Sequence, residues 1–150
     1  MIELVTTIII TASSVLLFGY WFRYTCLLIL SAKTTRDFAS EIVMANQLGF
    51  LEVQAQLRAS AANMDTLRDA LDRDYALLNG LMKKAGDASF EGSSLEQTML
   101  AINYRVMRAS YNVAGAFSPT AARKALEEMS MVVAHFANAM GQQAAAGAAA

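Results

Sequence analysis

Residues 4–22 read LVTTIIITASSVLLFGYWF, nineteen consecutive residues without a charge. An α-helix rises 1.5 Å per residue, so this stretch spans about 28 Å, close to the ~30 Å hydrocarbon core of a bilayer. Apolar character resumes after Arg23 and continues to Ala32. We expect the helix to run on into the interface, with Arg23 reaching towards the headgroups. The stretch predicts one transmembrane helix.

Two groups of side chains along this helix predict contacts. An aromatic cluster containing one cation marks the membrane interface, because such rings settle where one edge is apolar and the other wet. Its members are Tyr20, Trp21, Phe22, Arg23 and Tyr24. Thr7, Thr11 and Ser14 share one helix face and predict a contact with another membrane helix. Alternatively, these hydroxyls bond to carbonyls of their own helix.

The N-terminus lacks the marks of a cleaved signal peptide. No cation precedes the apolar run, the run exceeds the ~7–15 residues of such a segment, and Leu30 stands where a cut after Ala32 needs a small residue. We therefore predict an uncleaved signal anchor. The nearby cations Arg23, Lys33 and Arg36 all follow the span. By the positive-inside rule they predict a single-pass protein of the cell (inner) membrane with a cytoplasmic C-terminal domain, the alternative being a periplasmic or extracellular domain.

Composition and charge exclude several functional classes. Hydrophobic residues make up 55% of the chain and its mean hydropathy is +0.33, above the ~45–50% apolar content of soluble domains. From residue 37 onward there are nine Lys/Arg and twelve Asp/Glu, so the basic excess that nucleic-acid binding requires is missing. The single cysteine, Cys26, excludes an intrachain disulfide, and the single histidine, His135, excludes a multi-histidine metal site.

A seven-residue apolar repeat follows the membrane segment. Its first series is the candidate coiled-coil seam, which consists of Val43, Phe50, Leu57, Met64, Leu71 and Leu78. A second series three residues on contains Val53, Leu67 and Leu81, but it is interrupted by Asn46, Ser60 and Asp74. This is the a/d pattern of a coiled coil, in which polar positions can fix register or partner number.

Two later helices are delimited by turn and capping signals. The Gly/Ser-rich residues 86–94 predict a break, after which Ser93 and Glu96 have capping-box spacing. Ser118 and Pro119 predict the start of the last helix, with Ser118 as its N-cap. The apolar stripes of the two helices are Leu95, Met99, Ile102, Val106, Ala109 and Val113, and Ala122, Leu126, Met129, Val133, Phe136 and Met140. We expect each stripe to pack against another helix in the core.

These elements predict an all-α protein in three parts: a transmembrane anchor and juxtamembrane segment at residues 1–36, a helical domain at 37–140, and an Ala-rich flexible tail at 141–150. We expect the transmembrane helix to continue into one long amphipathic helix over residues 37–85, which packs with an antiparallel helical hairpin in a three- or four-helix, coiled-coil-like arrangement. The alternative is a break near residues 59–63, giving four segments (37–58, 63–85, 94–114 and 119–140) and a four-helix bundle within one molecule. One long helix would outreach the hairpin and so require another chain.

No catalytic arrangement is evident in the sequence. His135 has no nucleophile or orienting carboxylate at a plausible spacing, and neither a phosphate-binding glycine loop nor a nucleophile elbow occurs. The dense charges from Asp65 to Asp74 predict a solvated helix face. We therefore predict no enzymatic activity, no cofactor and no metal.

The sequence favours a membrane-tethered interaction or scaffold protein, or an accessory subunit of a membrane assembly. Its predicted partners are the lipid bilayer and either a second copy of the chain or another helical membrane protein. The alternative is a binding or sensor module at the membrane surface, which accepts a small apolar ligand or a partner peptide among its methionines.

Overall fold

The structure is a computed structural model that describes residues 1–32, 37–59, 63–86 and 94–149. Within these residues it contains α-helices and no strand, which confirms the all-α class. The helices are α1 (Ile2–Ser31), α2 (Ala39–Asn46), α3 (Phe50–Arg58), α4 (Met64–Gly86), α5 (Ser94–Ala114) and α6 (Pro119–Ala149). The chain divides into two compact units, Met1–Lys33 and Thr34–Ala150.

Helix α1 ends before the second unit begins. Ala32 has φ −63° and ψ 120°, an extended conformation that stops the helix. Helix α2 then has its own start, where Asp37 Oδ1 accepts a hydrogen bond from the Ala39 N–H at 2.9 Å. Such a side-chain acceptor satisfies an N–H that the first turn of a helix leaves unpaired. The expected continuation of the transmembrane helix into a long amphipathic helix is therefore wrong.

The long helix expected over residues 37–85 is also wrong, because three helices occupy this range. Helix α2 ends at Asn46, and the residue after it, Gln47, has a left-handed φ of 53°. The Gly49 N–H, at the start of α3, donates to Asp74 Oδ2 at 2.7 Å. At the start of α4, Asn63 Oδ1 accepts from the Asp65 N–H at 3.1 Å. The Asp74 and Asn63 side chains each cap a helix N-terminus and so fix a boundary that the heptad spacing does not show. Ser60 lies outside the described residues.

The residues of the apolar repeat pack in a core within the chain. Phe50 and Leu57 of α3 and Leu71 and Leu78 of α4 are buried, while Val43 and Met64 are half-buried. These residues therefore lie on three separate helices, and each of the three helices contacts α6. Burying a Leu or Phe side chain contributes roughly 1.5–3 kcal/mol, so the repeat stabilises the folded domain itself.

Helix α6 is the central element of the second unit and contacts α2, α3, α4 and α5. It begins at Pro119 as predicted, and Ser118 Oγ accepts from the Ala121 N–H at 3.3 Å. Its fully buried side chains include Leu126, Met129, Val132, Val133 and Phe136. The helix continues to Ala149, past the residue at which we expected a flexible tail to begin.

Helix α2 packs closely on α6. The Phe38 N–H donates to Asn138 Oδ1 at 2.8 Å. A Cβ added to Gly141 would overlap the Phe38 Cβ, so this position of α6 accepts no larger residue without a shift. The close approach thus ties the start of α2 to the last third of α6.

Candidate functional site

Helix α1 is the candidate membrane-binding element. Among the described residues it is the one helix that is long and apolar enough to cross a membrane. None of the residues in its most apolar 18-residue segment is buried. Of the predicted interface residues, Tyr20, Trp21 and Tyr24 are exposed, and Phe22 and Arg23 are half-buried. The Tyr20 and Tyr24 rings stack with centroids 6.4 Å apart, one turn apart on the helix. A continuous apolar surface of this extent is a feature of membrane or partner contact.

The three hydroxyls of the predicted membrane-helix contact bond within α1. Thr7 Oγ1 donates to the Glu3 carbonyl at 2.8 Å, Thr11 Oγ1 to the Thr7 carbonyl at 2.8 Å, and Ser14 Oγ to the Ile10 carbonyl at 2.9 Å. These bonds satisfy the hydroxyls without a second helix. All three side chains remain exposed, so contact of this face with another membrane helix stays a prediction.

A ladder of polar contacts joins α4 and α5. The Tyr104 hydroxyl donates to Asp72 Oδ1 at 2.9 Å, and Arg108 Nε donates to Asp72 Oδ2 at 2.8 Å. Seven residues away on each helix, the Tyr111 hydroxyl donates to Asp65 Oδ1 at 3.0 Å. Because the α4 numbers rise as the α5 numbers fall, the two helices run antiparallel. Asp65 is exposed, as expected of a solvated helix face, whereas for the half-buried Asp72 and the buried Asp74 that expectation is wrong.

The tyrosines of this ladder are held in their neutral form. Burial, followed by the neighbouring Asp72 carboxylate, raises the pKa of Tyr104. Burial also raises the pKa of Tyr111, and its hydrogen bond to Asp65 acts in the same direction. Tyr104 stacks on Tyr75 with ring centroids 3.9 Å apart and an interplanar angle of 4°. The ladder thus combines charge-assisted hydrogen bonds with aromatic packing, and both restrict the rotation of α5 about its axis.

Helix α5 is also fixed on its α6 side. Asn103, which is fully buried, donates through Nδ2 to Glu128 Oε1 at 2.8 Å. Seven residues away on each helix, His135 Nε2 of α6 lies 2.9 Å from Glu96 Oε1 of α5. His135 therefore pairs with a carboxylate across two helices, as a partly exposed residue beside the core.

The contacts with α4 and α6 hold α5 in an orientation in which its predicted apolar stripe faces away from the core. The residues of α5 that are buried are Leu100, Asn103, Tyr104, Met107 and Tyr111. The stripe that sequence periodicity assigns to the core is exposed except at Met99, which is half-buried. We call this surface the α5 apolar face; it consists of Leu95, Met99, Ile102, Val106, Ala109 and Val113.

Sequence reasoning found the α5 apolar face but assigned it to the wrong environment, and it missed the ladder that positions it. The available signal was the shared spacing of Asp65 with Asp72 and of Tyr104 with Tyr111, seven residues in each pair. Tyrosine in a helix is easily read as polar surface, although its ring buries a large apolar area when its hydroxyl finds a partner.

A surface pocket of about 230 Å³ lies between α3 and α6. It is lined by Gln54, Leu57, Arg58, Glu127, Ser130 and Met131. Gln54 Nε2 donates to Ser130 Oγ at 3.4 Å inside it. Four of the six lining residues are polar or charged, apolar atoms form the larger part of the lining surface, and Met131 is the one methionine among the six. In the parts of the chain that the structure describes, no three His, Cys, Asp or Glu side chains converge as metal ligands.

The chain matches no protein family model, no curated protein and no solved structure.

Proposed function

We propose that this protein is a non-catalytic, membrane-tethered helical interaction protein that acts as a scaffold or as an accessory subunit of a membrane assembly. The observation that carries the proposal is α1, a 30-residue helix whose most apolar segment contains no buried residue. Each large aliphatic side chain left in water costs roughly 1.5–3 kcal/mol relative to burial, and insertion into a bilayer removes that cost.

The domain that follows α1 is proposed to be a helical bundle built around α6 and held at the membrane surface. A tether raises the effective concentration of such a domain towards any partner in the same membrane. The α5 apolar face is available for such a contact, because it is held outward by the ladder to α4 and by the bonds to α6. Interaction through this face suits a scaffold or subunit better than a ligand-binding sensor.

The domain is proposed to face the cytoplasm, because Arg23, Lys33 and Arg36 follow the span. In sealed membrane vesicles of known orientation, protease added outside should digest the second unit only when the cytoplasmic face is outward. Digestion in the opposite orientation alone would reverse this assignment.

Flotation of the full chain with lipid vesicles after an alkaline carbonate wash tests the tether. The native chain should float, because carbonate removes peripheral proteins but leaves inserted helices. Ile9→Asp combined with Leu16→Asp should abolish flotation, since a charge near the centre of a span costs about 2.5–3.5 kcal/mol. The matched control, Ala55→Asp with Ala76→Asp, adds the same charge at exposed positions of α3 and α4 and should float like the native chain. A native chain that remains with the unbound protein would overturn the proposal.

A further inference from the structure

We infer that the α5 apolar face binds the same face of a second copy of this chain, in parallel and in register, as a short two-stranded coiled coil. The inference rests on the proposed function and deepens it, since it names the partner of the interaction module.

The spacing of the face is that of a coiled-coil seam. Its residues follow one another in steps of four and three without interruption. Met99, Val106 and Val113 take the a positions, and Leu95, Ile102 and Ala109 take the d positions. Such a seam packs by inserting each side chain into a hole formed by four residues of a facing helix with the same repeat. A second copy of the chain supplies that helix with matching side chains at every layer.

The face cannot turn inward without breaking bonds within the domain. Rotating α5 to bury it would remove Tyr104 from Asp72 and would leave the buried Asn103 without Glu128. Each lost hydrogen bond to a charged group is costly, because the partner left behind is desolvated. Within the described residues the domain therefore retains an exposed seam, which a second molecule can cover.

The flanking residues favour a parallel second copy. With the seam in register, the g position Arg105 meets the uncharged e position Ser110 of the other copy, so no like charges face each other. In an antiparallel pair the centre of the seam would bring Arg105 against its own equivalent, which is repulsive. Among parallel assemblies, β-branched Val106 and Val113 at a positions with Leu95 at a d position favour two strands.

The exposed area predicts a modest affinity. Leu95, Ile102, Val106 and Val113 are 71%, 43%, 42% and 67% exposed. A seam of this length buries on the order of 1,000 Å² in total, just below the ~1,200 Å² at which stable interfaces begin. Confinement of both chains to one membrane raises their effective concentration and compensates for the small area. We therefore expect the dimer to form in vesicles and to dissociate on dilution in detergent.

Disulfide cross-linking of the full chain in phosphatidylcholine vesicles tests the inference. Cys26→Ser removes the one native thiol, after which Leu95→Cys, Val113→Cys or the control Ala55→Cys introduces a single new one at an exposed position. With copper phenanthroline as oxidant, each seam variant alone should give at least about tenfold more covalent dimer than the Ala55→Cys control, a difference that corresponds to about 1.4 kcal/mol.

The two ends of the seam also distinguish its orientation. Residues 95 and 113 are about 27 Å apart along α5, so a parallel pair cross-links like with like. An antiparallel pair would cross-link only when the Leu95→Cys and Val113→Cys chains are mixed, and that result would overturn the proposed register. Adding Val106→Glu to either seam variant should return cross-linking to the control level while the helical circular dichroism is unchanged.

Flotation of the same samples separates this inference from the proposed tether. Chains that float but cross-link no better than the control would overturn the self-association and leave the tether intact. Chains that cross-link through the seam without floating would support the self-association and overturn the tether.

Discussion

Replacing Gly141 by alanine tests the packing of α2 on α6. In the interior of a helix alanine is more favourable than glycine by about 1 kcal/mol. Here the new Cβ would overlap the Phe38 Cβ, which belongs to a residue whose N–H is held by Asn138. Overpacking of this kind costs about 1–3 kcal/mol, so the net effect of Gly141→Ala ranges from about zero to 2 kcal/mol of destabilisation.

Gly80 of α4 is the matched control, because a Cβ added there meets nothing within 4 Å. Gly80→Ala should therefore stabilise the domain by up to about 1 kcal/mol, and the two variants should differ by about 1–3 kcal/mol. Urea unfolding of the full chain in detergent, followed by circular dichroism, measures this difference, since the α1 contribution is the same in both variants. A Gly141→Ala chain as stable as Gly80→Ala would refute the close packing of α2 on α6.

Four further substitutions test the polar contacts of the domain by the same unfolding assay. Asp74→Ala should cost about 1–3 kcal/mol because it leaves the Gly49 N–H without its acceptor, whereas Asp74→Asn, which retains an acceptor oxygen, should cost less. Tyr104→Phe should destabilise the domain and Tyr75→Phe should not, because the Tyr104 hydroxyl bonds to Asp72 while the buried Tyr75 hydroxyl has no hydrogen-bond partner among the described residues. Burial and Asp72 raise the pKa of Tyr104 above its ordinary value of 10.0, so the stability from its neutral hydroxyl is complete below pH 10 and declines above it, where only the unfolded chain releases the proton. The native chain should consequently lose more stability between pH 9 and 11 than Tyr104→Phe does, and equal losses would contradict the assignment.

The all-α class and two helix boundaries follow directly from the sequence. Helix α4 ends at Gly86 and α5 begins at Ser94, as the Gly/Ser-rich stretch predicts. Helix α6 begins at Pro119 with Ser118 accepting from its first turn. Glycine, serine and proline act on the backbone locally, so their effect can be predicted without knowing which helices are neighbours. Ser93, the other predicted cap, lies outside the described residues.

The heptad repeat does not show how residues 37–85 divide into helices, although the alternative break near residues 59–63 agrees with α3 ending at Arg58 and α4 beginning at Met64. A seven-residue spacing shows only that one face is apolar, and separate helices that pack on the same neighbour keep the same phase. Asn63 is a local capping signal that was available in the sequence. The α2–α3 boundary depends instead on Asp74, which accepts a hydrogen bond from the Gly49 N–H. The two residues are 25 positions apart, so only the tertiary fold shows this cap.

The orientation of α5 was the least predictable feature. Periodicity identifies the aliphatic face as the apolar stripe, whereas the structure buries a second face that contains Leu100, Tyr104 and Met107. The second face is buried because Tyr104 and Tyr111 find aspartate partners on α4. By hydrophobicity alone the aliphatic face is the better candidate for burial. Hydrophobicity does not take account of hydrogen bonds to a helix about 40 residues away.

Fluorescence of the single tryptophan is the most direct test of the central claim, that α1 tethers this protein to a bilayer. Trp21 lies at the predicted membrane interface and is exposed on α1. In vesicles that carry brominated lipids, its emission should be quenched, and more strongly by bromines close to the headgroups than by bromines at the chain ends. Emission that no brominated lipid quenches would show that Trp21 remains in water, and would contradict the tether.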